Sequence, residues 1–456
     1  MKQDVFGQMN SLTRADSAEA WDGVLLGFLA HAAVTPEHLG KVLTLEPDFA
    51  LGHAVKGMFL SLLGRRELMA TAAEALTLAE DAARHGSITL REQKYVEALR
   101  LWLNGNQTGA VQTFETVLRD HPDDTLAMKL SHACRFVLGD SQGMRRSIER
   151  VMPAYAPDHA GRGYLLGCHA FSLEETGAYE KAEIAGRQAL WMVSDDAWGL
   201  HAVAHVHDMT GNAKTGLEWL SGREAAWAHC NNFRYHVWWH KALMHLDLGQ
   251  VDRVMELYDA EIRKDRTDDY RDISNATSLL MRLELEGVDV GDRWDELANL
   301  SASRTEDGCL IFADLHYLLA LTGSDHGEAG ARMLARIHAD AKRSDCDVSR
   351  RMADPGVAAA NGLCAFGEGR YGEAFDNLLM ARDKMHLAGG SHAQRDVFER
   401  LTIDSGLRAG RLDAVELILD DRQAKRAGGE DNYALARRAL IAAGRGGADA
   451  QSVPAE

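Results

Sequence analysis

Between Trp198 and His245 the chain carries seven of its twenty histidines. Four of them form two pairs, His201/His205 and His236/His240, each with a spacing of four. On a helix, residues four apart share a face, so each segment presents two imidazoles to one side. Imidazole titrates near neutrality and serves as acid, base or metal ligand. Two such pairs on facing helices could offer four nitrogens to Zn, Fe, Ni or Cu, or three nitrogens and an open position. No HEXXH motif occurs and no carboxylate stands inside either pair; Asp208 and Asp314 are the nearest acids by sequence. The metal reading therefore ranks behind pocket-lining and acid/base roles. A cluster buried together should keep several members neutral. His207 and His245 point away from the pairs and read as packing residues. Trp198, Trp238 and Trp239 flank the pairs; the last two are adjacent and cannot share a face, so one is expected in the core and the other at a pocket wall.

The elements that must position these groups are helices. Ser17–His31, Asp48–Leu63, Arg65–Arg84 and Thr89–Leu103 are apolar at helical spacing, and Thr35-Pro36 reads as an N-cap followed by a first-turn proline. From about residue 100 a glycine repeatedly ends one helix just before the next: Gly105, Gly139, Gly177, Gly211, Gly249, Gly287, Gly323, Gly369 and Gly410. The shortest gap, Gly105 to Gly139, is 34 residues and the longest, Gly323 to Gly369, is 46. A glycine stop suits the left-handed helix C-cap, and two helices in a period near 34 is the tetratricopeptide pattern. The clearest unit has Ala182 and Ala189 after Gly177, matched by Ala374 and Ala381 after Gly369. Small residues there let neighbouring helices approach closely.

Helix pairs of this kind bury their apolar faces only by stacking, and the first helix of each pair lines the inner wall. The expected fold is all-α: a superhelix of tetratricopeptide-like helix pairs closed around a central cavity. An N-terminal helical region (1–104) packs on the repeat array (105–428), followed by a C-terminal helix and frayed tail (429–456). The first helices carry His132, His169, His201/His205, His236/His240 and His316; the helix near 270–286 offers Arg271, Asp272, Asn275 and Arg282 instead. A late segment, GGSHAQRDVF (389–398), joins a glycine break to a helix that Ser391 can cap. Its Arg395 is expected to grip an anionic group, held by Asp396, or else to form an inter-helix salt bridge.

Composition excludes several classes. The 456 residues are 46 % hydrophobic, ample for a large core, and the net charge is −18. No basic stripe is available to displace counterions, so nucleic acid and anionic membrane are not expected partners. No apolar run approaches a membrane span, and the N-terminus has no signal-like apolar region. The six cysteines are scattered without a CxxC pair and read as reduced thiols. A cytoplasmic location follows as the expectation. GRGYLLG (161–167) lacks the strand a dinucleotide loop needs; no P-loop or GxSxG elbow occurs; and Cys168 and His169, being adjacent, make a poor catalytic pair.

Several segments together resemble the tetratricopeptide repeat protein 38 family, from about Leu51 to Phe398. They are GHA (52–54), LREQ (90–93), DHPDDTLAMKLSH (120–132), DAWGLHAVAHVHDM (196–209), HVWWHKAL (236–243), LEGVDVGDRW (285–294) and GGSHAQRDVF (389–398). The resemblance implies that His53, His132, His201, His205, His207, His236, His240 and His316 match the family's histidines. Trp239 falls on its motif and becomes the preferred pocket wall. His392 departs from the animal version, which has Asn there. The family is known chiefly by its repeats, with suggestions of hydroxylation in natural-product pathways.

Taken together, the residues describe a protein that binds or transforms a small, anionic metabolite in a His/Trp/Arg-lined inner pocket. His201, His205, His236 and His240 take the catalytic roles; His53, His132, Trp239, Asp314, His316, Arg395 and Asp396 take the ligand-binding ones. The cofactor is unassigned: a transition metal is not favoured but, if present, falls to the same four histidines. The alternatives are a non-enzymatic scaffold for protein or peptide partners, and a metal-dependent oxygenase, hydroxylase or hydrolase. Oligomeric state is not legible.

Overall fold

The computed structural model describes residues 1–451 apart from 325 and 344, with side chains from 446 onward left aside. Helices follow one another along the described chain, relieved by a two-residue antiparallel ladder that pairs Lys2 with Asn10 and Gln3 with Met9. Helix pairs pack against each other in sequence order: 50–62 on 66–85, 162–174 on 179–192, 357–367 on 371–382. The fold is the expected array of tetratricopeptide-like helix pairs.

The glycine stops behave as left-handed caps. Gly105, Gly139, Gly177, Gly211, Gly249, Gly287, Gly369 and Gly410 have φ between +68° and +79°, where a Cβ would be strained. Gly323 is the exception, with φ −80°. Ala182, Ala189, Ala374 and Ala381 are all buried between their helices. One local expectation fails. Thr35 is not the cap but the first residue of the helix Thr35–Leu45; Val34 holds the cap position, and the Thr35 hydroxyl donates back to the Ala32 carbonyl at 2.8 Å.

The apolar interior divides into two large cores whose boundary runs through the helix Phe233–Asp247. Phe233, Val237 and Met244 belong to the first core, while Trp239, Ala242 and Leu243 belong to the second. The polar face of that helix, with His236 and His240, therefore stands where the cores meet.

Segments remote in sequence also meet there. The Asn231 amide donates to the His31 carbonyl at 2.7 Å, and the Ala33 amide to the His229 carbonyl at 3.1 Å. The His392 amide donates to the Glu175 carboxylate at 2.7 Å. Arg426 reaches the Asp208 carbonyl at 2.5 Å. No helix of the described residues is long and apolar enough to cross a membrane.

Candidate functional site

The two histidine pairs come together. His201 and His205 lie on the helix Ala197–Met209, His236 and His240 on the helix Phe233–Asp247. Within each pair the ring centroids are 4.6 Å apart. Across the helices, His205 stands 4.2 Å from His240 and His201 stands 5.2 Å from His236. One nitrogen from each of the four rings falls within 4.8 Å of the other three. All four are buried.

Local contacts aim these rings. His201 Nδ1 sits 3.0 Å from the Trp198 carbonyl. A carbonyl only accepts, so Nδ1 carries the proton and Nε2 is left with its lone pair. The Nε2 atoms of His236 and His240 are 3.1 Å apart. His205 Nδ1 lies 3.5 Å from a Glu174 oxygen. Both nitrogens of His205, both oxygens of Glu174 and Nδ1 of His240 have no hydrogen-bond partner. Buried polar atoms are nearly always paired, so this concentration of unpaired ones marks the site.

Burial dominates the electrostatics. Desolvation pushes the imidazoles of His201 and His240 well below their usual range, helped by neighbouring rings. Burial, then His205, pushes His236 down to about 3. At His205 burial opposes the charged form, but the Glu174 carboxylate outweighs it and raises the group. Glu174 is raised in turn, chiefly by its own burial.

Beside the quartet a cavity of about 330 Å³ opens, and His132, Trp198, His201 and His236 line it. Much of the remaining wall is aromatic or aliphatic, including Phe28, Phe59, Phe136, Phe233 and Phe312. Its cations are Lys129 and Arg271. Arg271 is held in a bidentate pair with Asp269, at 2.6 and 2.8 Å. Lys129 is buried. Its ammonium contacts His31 Nε2 at 3.2 Å, Cys168 Sγ at 3.9 Å and the Trp198 ring at 4.9 Å. Among the described residues no carboxylate pairs with it directly. Asp196 feels its charge without forming an ion pair, and burial pushes that acid up to about 7.

His31 completes this wall, stacked between Trp198 and Phe233 with centroids at 5.3 and 4.7 Å. Its φ is +57°, a left-handed conformation that costs a histidine some strain. The backbone pairing with residues 229–231 holds it there.

Several assignments made from sequence fall elsewhere. Trp239 is not a pocket wall: it is fully buried in the second core, stacked on His236 and under Arg282. The tryptophan at the cavity is Trp198. Asp314 is spent on Arg336 at 2.7 Å. His316 stands outside the quartet, bonded to the Phe312 carbonyl at 2.8 Å. His53 bonds the Pro47 carbonyl at 2.6 Å, away from the cavity. His169 turns outward to Glu149 at 3.5 Å. The acid at the quartet is neither Asp208 nor Asp314 but Glu174.

The far segment does arrive, with its side chains turned otherwise than expected. Ser391 caps the helix His392–Arg408 in a capping box with Gln394. Gly389, Gly390, Ser391 and Gln394 line the cavity. The two glycines have φ +90° and +75°, and a Cβ on them would meet the Val137 carbonyl and the Phe312 ring. Arg395, however, does not face His240's cavity. It donates to the Gly390 carbonyl and lies 3.3 Å from Glu175. Asp396 faces away, held by Arg422 at 2.9 Å and Arg400 at 2.6 Å. The bridging reading of Arg395 is the one this geometry follows.

Sequence reasoning missed Lys129, His31 and Glu174. A signal existed for Lys129: it interrupts the apolar run TLAMKLSHACRFV one turn before His132, and such a lysine has no water-facing reason to be there. His31 and Glu174 sit at helix ends and carry no periodic mark.

No protein-family model matches the chain. Among solved structures it resembles a human IFIT1 dimer with PPP-AAAA, at TM-score 0.43 and 14 % identity, covering 94 % of this chain and 95 % of that one. It also resembles yeast Tom70, at TM-score 0.36 and 13 % identity, covering 96 % and 90 %. The APC/C hetero-tetramer Cut9-Hcn1 follows at TM-score 0.33 and 11 % identity, covering 91 % and 88 %.

Proposed function

We propose that this protein binds a small molecule with an apolar body and an anionic head in the cavity beside the histidine quartet, within a superhelix that closes around it. One observation carries the reading: Lys129 is a buried cation without a paired carboxylate, at the wall of an otherwise largely aromatic cavity. A buried charge is costly unless it is compensated, and an anionic ligand would compensate it. The stacked His31, Trp198 and Phe233 give the apolar body a flat surface. The helix segments that build the site, 196–209 and 236–243, also carry the resemblance to the tetratricopeptide repeat protein 38 family.

The test uses the anionic dye 8-anilinonaphthalene-1-sulfonate as the probe. Lys129→Met keeps the length of the side chain and removes the charge. It should weaken dye binding about tenfold, which corresponds to about 1.4 kcal/mol, with the helical circular dichroism unchanged. Equal affinity in both proteins would remove the anion from the reading. Mass spectrometry of a solvent extract of the purified protein would then look for the natural ligand.

A further inference from the structure

The quartet has a property that ligand packing alone does not require. Its rings bring one nitrogen each within 4.8 Å of the other three, and His205 Nε2 and His240 Nδ1 have no hydrogen-bond partner. In the His236/His240 contact, two Nε2 atoms meet at 3.1 Å. Between neutral rings one of the two must donate to the other, and each ring keeps only one N–H. His201 has already committed its proton to the Trp198 carbonyl, so its Nε2 brings a lone pair. His205 Nε2 has no hydrogen-bond partner, while its Nδ1 faces Glu174 at 3.5 Å. The most economical resident for four converging nitrogens is a cation that accepts lone pairs.

We propose that His201, His205, His236 and His240 hold one borderline divalent metal ion of the zinc class. Four-coordinate imidazole sites have metal–nitrogen distances near 2.0–2.1 Å, which places ligand nitrogens about 3.3 Å apart. The His236–His240 separation already matches, and the other nitrogens lie within 4.8 Å. The remaining nitrogens then have at most about 1.5 Å to close to reach that spacing.

Glu174 supplies what four neutral ligands lack. Its carboxylate is fully buried and has no hydrogen-bond partner. It lies 3.5 Å from His205 Nδ1, so His205 can donate to it and turn Nε2 to the ion. This is the carboxylate–histidine–metal arrangement that fixes a ligand's tautomer and raises its basicity. The carboxylate also offsets part of the ion's charge in a dry setting. Glu175, the next residue, is already engaged by Arg395 and His392, and stays outside the site.

The site rests on the cavity reading only for its place: His201 and His236 also line the cavity, which puts the ion at the wall against the bound molecule. Metal binding is measured without any organic ligand, so either reading can fail alone.

The experiment uses the full chain freed of any polyhistidine tag and stripped with dipicolinate. After equilibration with Zn²⁺ and desalting, elemental analysis should find about one zinc per chain. Co²⁺ should give the intense visible absorption of a tetrahedral centre. The double variant His201→Gln/His240→Gln should lose nearly all the metal. His316→Gln, a buried histidine outside the quartet, should keep it. Should the double variant unfold by circular dichroism, His236→Gln at the more accessible edge replaces it. Glu174→Gln should lower zinc affinity about 10- to 100-fold in competition with a chromophoric chelator, with stoichiometry at saturation unchanged. Wild-type protein that holds no more metal than the quartet variant overturns the proposal and leaves Glu174–His205 as a buried ion pair. So does an equal loss in His316→Gln.

Discussion

Two buried polar regions lie side by side in this molecule, and they are built on opposite rules. Around the quartet, His205, Glu174 and His240 leave polar atoms without partners. Around the C-terminal helices, charges are extensively paired. Asp396 is held by Arg422 and Arg400; Asp431 by Arg422 at 2.6 Å and Arg400 at 3.1 Å; Asp404 by Arg437 at 3.2 Å. Arg426 and Arg437 extend the lattice to Asp208 and Glu286, so it ties the last helices to the middle of the array. A network whose members satisfy one another specifies a structure. A cluster that leaves buried atoms unpaired gains stability when something binds there, which is the role proposed for the quartet.

The contrast predicts opposite responses to removing one charge. Arg422→Ala removes one of the arginines on both Asp396 and Asp431, leaving Arg400 with each, at a cost of about 1.5–3 kcal/mol, the scale of charge-assisted hydrogen bonds. The midpoint of urea unfolding should fall accordingly, with dye and zinc affinity per folded molecule unchanged. Lys129→Met, equally buried, should leave that midpoint unchanged or raise it while weakening the dye. If both substitutions destabilise alike, the two regions are one structural network and the distinction fails.

Acid should separate the regions too. Burial works against the charged Asp396 carboxylate, but Arg422, Arg400 and Arg282 outweigh it and hold the group well below its ordinary range. Asp431 is depressed in the same way. A depressed carboxylate contributes stability that is present above its unfolded value, about 3.9, and is lost as pH falls through the folded one. The lattice should therefore hold from neutrality to about pH 4 and weaken below that. Asp396→Asn should lower stability at neutral pH and flatten the loss below pH 4. An unfolding curve with the wild-type acid slope in Asp396→Asn would contradict this.

The fold was legible because its signals are local and periodic. Glycine at a left-handed cap recurs at eight of the nine stops, alanine at a helix crossing marks two units, and His201/His205 share a face by helical geometry alone. What the sequence could not show is which of two chemically similar groups finds a partner. Arg395 and Asp396 look like a ligand grip when read in one segment. Their partners, Glu175 and Arg422, lie in other repeats. Lys129 stands out in its apolar run, but its neighbours His31, Cys168 and Trp198 come from other segments and are not legible there. Of the adjacent Trp238 and Trp239, expected to divide between core and pocket wall, Trp239 is in the core and neither lines the cavity, where Trp198 stands instead. Gly323, sequence-equivalent to the other stops, ends the helix Ile311–Thr322 with φ −80°.

The smallest predicted effect falls where the two regions touch. Arg395 belongs to the paired region by its bond to Glu175, yet it also holds the carbonyls of Gly389 and Gly390, whose backbone forms part of the cavity wall. Arg395→Lys keeps a charge near Glu175 but loses the fork whose one nitrogen donates to the glycine carbonyls while the other faces Glu175. The expected cost is about 1 kcal/mol of stability, the scale of one net hydrogen bond, read as a small drop in the urea midpoint. Dye affinity should stay within about twofold of wild type, since a change of 0.4 kcal/mol is that factor. A side chain that gripped the anion itself would behave differently: affinity would fall steeply while the midpoint stayed put. That pattern would move Arg395 across the boundary, from the brace behind the wall to the binding surface. It would also require Glu175 to release it when ligand arrives, which Glu175→Gln would then reproduce.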